Sequence, residues 1–525
     1  MPSSQMLNSD EWEYKCEGLG NVILSHVDQQ HHTTSKLRGK VLRVRKCPRE
    51  LLLISQSSPN SHKTYEEELN STYSRLKGVS SREAYLKIYV KDVIGKLLDV
   101  CHEKGQELVD PGETVPVSRE FLQEIKEKIN PLRSEQMLNY KLDFDIFADS
   151  AILMRDFTFN RNHHLDPTLE NNSSHHDHHN QTPDYTFCVE IKPKWGMICS
   201  SEFISPHNKP IKYETCRYCM QQFTKLKQGL ILNTSSFCPT NLFSSREERV
   251  KKGLFDLIDN PQNNMRLYID GKLVWFDDNS VTVPNRNFRE ELCQLLKKHQ
   301  VENLEKFVHY VSYCLIHSNI METLQRLHQL DRFDIEFIYP HVYSVLKNKY
   351  GSDEKIQELL FNFNSDMDRW MDLLKQELTR EEKGPCCQEF ECSCSGFSSN
   401  SNGQKSREEE HSIYSRVKPH LRTFEDLVEA CRSEDEEFCW HVLRMYLTAH
   451  CVKDCSVMIS FNLSHVERDG VNGDGNHDDG MVEYDIGLVD LDPKIAAKIP
   501  SYYEMDQEII KLYVKEKGLV TTDRQ

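Results

Sequence analysis

The sequence predicts an α+β fold in two lobes, strand-rich at the N-terminus and larger and mixed at the C-terminus, with insertions between elements. Three observations predict it. Short strand patterns interrupted by a glycine turn fill the stretch from Glu11 to Lys46, amphipathic helical spacing dominates the middle of the chain, and two alternating segments near the C-terminus enclose an Asp/Gly/Asn loop. The chain has 525 residues, enough for more than one core. Its formal net charge of −17 argues against a general nucleic-acid binder, which needs a broad cationic surface, so any anion site must be local.

In the first segment, strands at Trp12 to Lys15, Val22 to Leu24 and Val41 to Lys46 flank the turn Glu17-Gly18-Leu19-Gly20-Asn21. A glycine turn that covers phosphates, with a cation on a following strand, has this layout, and so does any hairpin. Helical spacing follows from Tyr85 to Cys101 and from Ser118 to Ile129, where Ser118 is the expected cap. Ala151 to Met154 reads as a short buried strand, with Arg155-Asp156 as the link to the second lobe. Residues 158–184, rich in His and Asn, read as a disordered insert.

In Cys188-Val189-Glu190-Ile191-Lys192-Pro193-Lys194-Trp195-Gly196, strand alternation puts Glu190, Lys192 and Lys194 on one face. A proline-stiffened pair of lysines suits the grip of a polyanion, and an edge strand protected by lysines is the alternative. Helices are expected at Asn303 to His317 and Ile335 to Leu346, with a flexible insert at 381–412 that carries Cys386, Cys387, Cys392 and Cys394. Strands at Ser456 to Leu463 and Val482 to Leu491 then form a hairpin. The loop from Asp469 to Gly480 lacks the glycine and glutamate that a calcium loop requires.

Acids bracket this hairpin: Asp454 before the first strand, Asp490 and Asp492 at the end of the second. Phosphoryl transfer needs one carboxylate to accept the proton of the attacking hydroxyl and another to hold magnesium, although Asp also caps turns. The basic residues Lys192, Lys194, Arg217, Lys225, Arg266, Lys494 and Lys498 suit a substrate with several phosphates. The 18 cysteines are scattered, which points to thiols or metal ligands and not to disulfides. Cys216-Arg217-Tyr218-Cys219 has the spacing of a zinc half-site, with Cys238 and His207 as candidate partners and two unconnected thiols as the alternative.

Together with the hairpin acids, the strings Val189-Glu190-Ile191-Lys192-Pro193-Lys194, Cys216-Arg217-Tyr218-Cys219-Met220-Gln221-Gln222, Pro261-Gln262-Asn263-Asn264, Lys453-Asp454-Cys455-Ser456 and Val489-Asp490-Leu491-Asp492-Pro493-Lys494 resemble the inositol-pentakisphosphate 2-kinase family. The resemblance implies a two-lobed kinase-like fold that uses ATP and Mg2+ to phosphorylate the 2-hydroxyl of inositol pentakisphosphate, giving inositol hexakisphosphate. It implies a nucleotide-binding lobe at 1–157 and an inositol-phosphate-binding and catalytic lobe at 185–525. Glu17, Gly18, Gly20, Asn21, Arg43, Asp156 and Glu190 fall at nucleotide positions, and Asp490 at the magnesium ligand. Asp454 is similar to the catalytic base, with Lys192 beside it. Arg133, Lys192, Lys194, Lys225, Asn263, Arg266, Lys494, Lys498 and Tyr502 fall at inositol-phosphate positions. The Cys216-Arg217-Tyr218-Cys219 string is similar to that of vertebrate members for which a structural Zn2+ site is suggested, and Cys238 and His207 remain the candidate further ligands. Lys15-Cys16 departs from the family's Arg-Gly, and Lys498 stands where arginine can occur, losing the bidentate fork.

Met1 to Trp12 lacks the apolar core of a secretory signal, and nowhere do eighteen apolar residues run together. The expectation is a soluble, monomeric cytoplasmic or nuclear protein whose partner is its small-molecule substrate, with no nucleic acid and no membrane. Two alternatives stand beside it: a kinase for another inositol phosphate or phosphoinositide, and a non-catalytic scaffold that binds inositol phosphates.

Overall fold

The computed structural model describes residues 7–27, 37–57, 79, 81–160, 185–199, 201, 203–277, 286–360, 367–379, 392–393, 428–429, 431, 436–462 and 483–519. Its strands form two antiparallel sheets, in keeping with the α+β expectation. The first contains β1 (Trp12–Glu17), β2 (Asn21–His26), β3 (Lys40–Pro48), β4 (Glu113–Pro116), β5 (Leu142–Phe144) and β6 (Ser150–Arg155), in the order β1-β2-β3-β6-β4 with β5 on β3. The second contains β7 (Thr186–Ile191), β8 (Met265–Ile269), β9 (Lys272–Phe276), β10 (Ser456–Asn462) and β11 (Tyr484–Val489), in the order β11-β10-β7-β8-β9.

Local chemistry accounts for the first sheet. The glycine turn closes the β1–β2 hairpin, with Gly18 N donating to Asn21 O at 3.0 Å. Helix α1 (Arg119–Ile129) starts where Ser118 Oγ accepts from Phe121 N at 3.1 Å, which satisfies one of the orphan amides of the first turn. Its buried residues Phe121, Leu122, Ile125 and Ile129 recur at helical spacing and share one core with Trp12, Val22, Leu24, Leu42 and Val44 of the sheet. Each such side chain contributes about 1.5–3 kcal/mol by leaving water.

A second and larger core surrounds the β7–β11 sheet. Tyr85, Tyr89, Val93, Ile94 and Leu97 belong to it, so the helical segment of residues 82–101 packs on the larger core although it lies in sequence between the third and fourth strands of the first sheet. Thr323 Oγ1 donates to Cys101 O at 3.3 Å, and a His102 ring nitrogen lies 2.7 Å from Ser318 O. An amphipathic stripe announces a buried face without naming its neighbour.

β7 lies at the centre of its sheet, and all six of its residues are buried. The edge-strand alternative is therefore wrong. The strand also ends at Ile191, so Lys192 and Lys194 lie beyond it and do not extend a charged face from Glu190.

Several contacts tie the two sheets together. Lys15 Nζ donates to Gly271 O at 2.6 Å as well as to Asp156 and Thr158, and Arg155 pairs with Asp485. At Gly487 an added Cβ would lie 2.0 Å from the Phe157 ring, so only glycine allows this approach. Of the insert expected at 158–184, Thr158 and Asn160 are instead buried, and 161–184 lie outside the described residues, as do Asp469–Gly480 and most of 381–412. Among the described residues every cysteine is a free thiol, and no helix is long and apolar enough to cross a membrane.

Candidate active site

One end of the second sheet collects the chemistry. Ser456 pairs with Val489 across the β10–β11 hairpin, so Asp454 and Asp490 leave the sheet at the same end. Val457 pairs with Ile191, and Ile191 with Met265, which brings Lys192, Lys194, Asn263 and Asn264 to that end as well. Lys192 N donates to Asn264 O at 2.8 Å. Lys194, Gln262, Asn263 and Asp490 all have φ between 46° and 62°, a left-handed conformation that disfavours any residue with a Cβ. Strained backbone clustered in this way marks functional sites more often than ordinary turns.

The charges at this end are arranged in pairs. Lys494 Nζ donates to Asp454 Oδ2 at 2.6 Å, and Lys192 Nζ to Asp490 Oδ2 at 3.1 Å. Arg43, on β3 of the other sheet, reaches across to donate to both oxygens of Asp492 at 2.7 Å. Burial pushes the Asp454 carboxyl up, but Lys494 and Lys194 outweigh it and hold the group well below the usual carboxylate range. Asp490 is likewise depressed, with Lys192 and Arg43 overcoming burial. Lys194 moves the other way: burial lowers its ammonium to about 8, only partly opposed by Asp454, while Lys192, Lys225 and Lys494 lower it further. Lys194 makes no direct ion pair among the described residues.

The remaining sequence candidates are spread around this cluster. Arg266 donates to Asn263 Oδ1 at 2.7 Å. Burial lowers the Lys225 ammonium, which lies 5.8 Å from the Tyr218 ring centroid. Lys498 is exposed, and the Tyr502 ring stacks on His450 at 5.1 Å. At the glycine turn, a Cβ on Gly18 or Gly20 would meet nothing within 4 Å, which leaves room above the backbone. The Asn21 amide, oriented to satisfy both neighbours, accepts from Arg43 at 2.7 Å and donates to Gly20 O at 3.2 Å.

Five expectations are corrected. Arg133 does not reach toward the site: its guanidinium donates to Glu17 at 3.0 Å and to Asp143 at 2.6 Å, fully buried in the first lobe. Glu17 is engaged in the same network, its carboxylate paired with Arg133 and Lys46 and turned into the core. Asp156 is also enclosed, with one oxygen taken by Lys15 at 2.8 Å and the other by Thr158 N and Oγ1. Glu190 is buried beneath the site, where it accepts from Ser456 Oγ and from Tyr268 OH, each at 2.9 Å. His207 is exposed and stands outside the thiol cluster. The sulfurs of Cys216, Cys219 and Cys238 are joined instead by Cys392, all within 4.8 Å of one another. Four thiolates at that spacing match a tetrahedral zinc site.

The inositol-pentakisphosphate 2-kinase family model matches residues 14–508. The chain belongs to this family. It is 26% identical over 528 residues to the inositol-pentakisphosphate 2-kinase of Arabidopsis thaliana, covering 99% of this chain and 96% of that protein. It is 25% identical over 532 residues to the one from Danio rerio, covering 97% and 94%, and 28% identical over 143 residues to the one from Drosophila melanogaster, covering 21% and 22%.

Sequence reasoning left Asp492 out of the site residues and gave no role to Lys453, Trp195 or Asp331. Lys453 could have been singled out because it adjoins Asp454 at a strand start. Asp331 lies in a loop that carries no pattern of its own.

Proposed function

We propose that this chain transfers the γ-phosphate of ATP to the 2-hydroxyl of inositol pentakisphosphate and so makes inositol hexakisphosphate. The observation that carries the reading is the convergence of Asp454, Asp490, Lys192 and Lys194 on one end of the second sheet, with Arg43 reaching in from the first. Asp454, held ionised by Lys494 and Lys194, serves as the base by orienting the hydroxyl and taking its proton as transfer proceeds. Lys192, Lys194, Lys225, Asn263, Arg266, Lys494, Lys498 and Tyr502 bind the inositol phosphates. Gly18, Gly20, Asn21 and Arg43 cover the nucleotide phosphates. Asp490 and Asp492 offer partly exposed carboxylate oxygens of the kind a magnesium ion takes and would hold it. When bound, Mg2+ neutralises charge on the phosphates in transfer. The work of the chain's own residues is to align hydroxyl and nucleotide and exclude competing water.

Zn2+ fits the four thiols and would fasten the segment at Cys392 against helix α2 (Arg217–Lys227), which carries Lys225. Both proposals are tested on one sample. Incubation with ATP, Mg2+ and inositol pentakisphosphate should give a product phosphorylated at the 2-hydroxyl, and elemental analysis should find one zinc per chain. A product phosphorylated elsewhere, or none, overturns the assigned reaction, and zinc-free active protein overturns the metal.

A further inference from the structure

Lys453 is nearly inaccessible, at 1% exposed, yet carries an ammonium into the core beside the proposed base. Its Nζ donates to Asp331 Oδ2 at 2.6 Å and sits 3.8 Å from the centroid of the Trp195 ring. One charge therefore touches two segments of the site at once, because Lys453 precedes Asp454 and Trp195 follows Lys194. The rest of each segment is pinned nearby. Gly196 N donates to His328 Nδ1 at 3.3 Å, and Gly196 O accepts from Gln325 Nε2 at 3.1 Å. An added Cβ at Gly196 would lie 2.4 Å from the Phe243 ring. On the other segment, Lys453 N donates to Ala449 O at 2.9 Å and Asp454 N to Cys451 O at 3.2 Å.

The Trp195 ring is held from further sides. Arg217, itself paired with Asp506 at 2.6 Å, lies 5.3 Å from the ring centroid. The His450 ring meets it edge-on at 5.3 Å and stacks on Tyr502. A buried ion pair is a poor source of stability, since apolar residues of similar volume do as well or better. A cation against an aromatic face is directional, however, and fixes relative position in a dry setting.

We propose that Lys453, clamped between the Asp331 carboxylate and the Trp195 ring, is a positioning residue that keeps the Asp454 turn and the Lys192–Gly196 loop in one fixed relation. The inference rests on the reading of Asp454 as base and Lys194 as phosphate ligand. A small displacement of Asp454 relative to the bound inositol ring would misalign the hydroxyl without disturbing the nucleotide, which is held by other residues.

The test compares wild type with Lys453→Met, the double variant Asp331→Asn/Lys453→Met, and Trp195→Leu. Lys453→Met is expected to lower kcat by about 30–100-fold, the scale of a misplaced reacting group, while KM for ATP stays within about twofold. KM for inositol pentakisphosphate should rise, because the Lys194 loop loses its anchor. The double variant removes the carboxylate left unpaired, so its unfolding temperature should recover toward wild type while kcat stays low. That combination separates positioning from folding. Trp195→Leu leaves the ion pair in place and should reproduce the loss of kcat, and it carries the test if the Lys453 variants do not fold. Wild-type kcat in any folded variant of the three overturns the inference. A wild-type chain that phosphorylates no inositol phosphate instead overturns the functional reading beneath it, which the same assay registers separately.

Discussion

Two groups of opposite charges in this molecule look alike in composition and differ in exposure. Beside the first sheet, the side chains of Arg133 and Lys46 are 0% exposed and that of Glu17 2% exposed, joined with Asp143 into a closed network. At the end of the second sheet, Asp454, Asp490 and Asp492 are 53%, 51% and 37% exposed although each has a cationic partner. Breaking a buried pair by removing one member costs about 3–5 kcal/mol, because the other charge is stranded. The cationic partners Lys494, Lys192 and Arg43 are 21%, 21% and 10% exposed, so it is the carboxylate side of each pair that is open to solvent and to an incoming metal ion or phosphate, at less cost than a pair buried on both sides. The pairs suited to binding are the ones that are easy to break. Until ligands arrive, the paired members, Lys494 with Asp454, Lys192 with Asp490 and Arg43 with Asp492, partly neutralise one another.

This contrast can be broken by mutation. Asp454→Asn should abolish most turnover, by about 10²–10⁴-fold for loss of a general base, while unfolding temperature and nucleotide affinity stay near wild type. Steady-state kinetics with calorimetric nucleotide titration and a thermal melt would check it, and turnover at the wild-type rate would remove Asp454 as the base. Glu17→Gln should do the reverse. It strands Arg133 and Lys46, so denaturant unfolding should show a loss of about 3–5 kcal/mol, with turnover per folded molecule little changed. A stable but inactive Glu17→Gln would return that residue to the nucleotide site.

The same contrast explains which features could be read from residues alone. The short strands near each end of the chain, the glycine turn and the Ser118 cap are local, and the structure reproduces them, whereas the alternation expected from Glu190 to Lys194 gives way to a strand buried on both faces. The hairpin acids could be paired because a hairpin of two short strands has little freedom in where its ends go. Arg133 and Lys194 could not be told apart, since each is a cation close after a proline and only tertiary burial separates them. Cys392 lies in a stretch whose Ser, Gly and Glu composition argued for flexibility, while its sulfur joins a cluster far away in sequence. The left-handed conformations of Lys194 and Asp490 had no glycine to announce them.

Acid should sharpen the difference between the two cores. The larger core encloses His328, which burial and then Lys453 hold down at about 3, and the same lobe buries His441, held at about 4 by burial and then Arg444. Both are neutral when folded and take up protons once unfolded near 6.5, so stability is full above that pH and falls as pH drops toward the folded values. Each histidine contributes a slope of about 1.4 kcal/mol per pH unit in that window. In the first lobe, Asp143 is held at about 2 against burial by Arg133 and Lys126, so its contribution is present above its unfolded value near 3.8 and fades only below that. Hydrogen exchange followed from pH 6.5 to 4.5 should therefore show protection lost first around β7 and β10. Equal loss in β2 and β3 would contradict the assignment.

The smallest effect is the most specific. Lys194 is half-buried, has no direct ion pair among the described residues, and is lowered to about 8 chiefly by burial. Only its protonated form attracts phosphate, so above pH 8 binding must first recover a proton, and the bound phosphates then hold it. Affinity for inositol pentakisphosphate should fall as pH rises through 8, approaching about tenfold per unit where one group controls the equilibrium. Proton uptake measured by calorimetry in two buffers of different ionisation enthalpy should rise over the same range. Lys194→Arg keeps its charge throughout and should flatten both curves, at some cost in affinity from the changed shape. If the arginine variant keeps the wild-type slope, the titrating cation is another one, and the reading of Lys194 as the cation that titrates on binding fails.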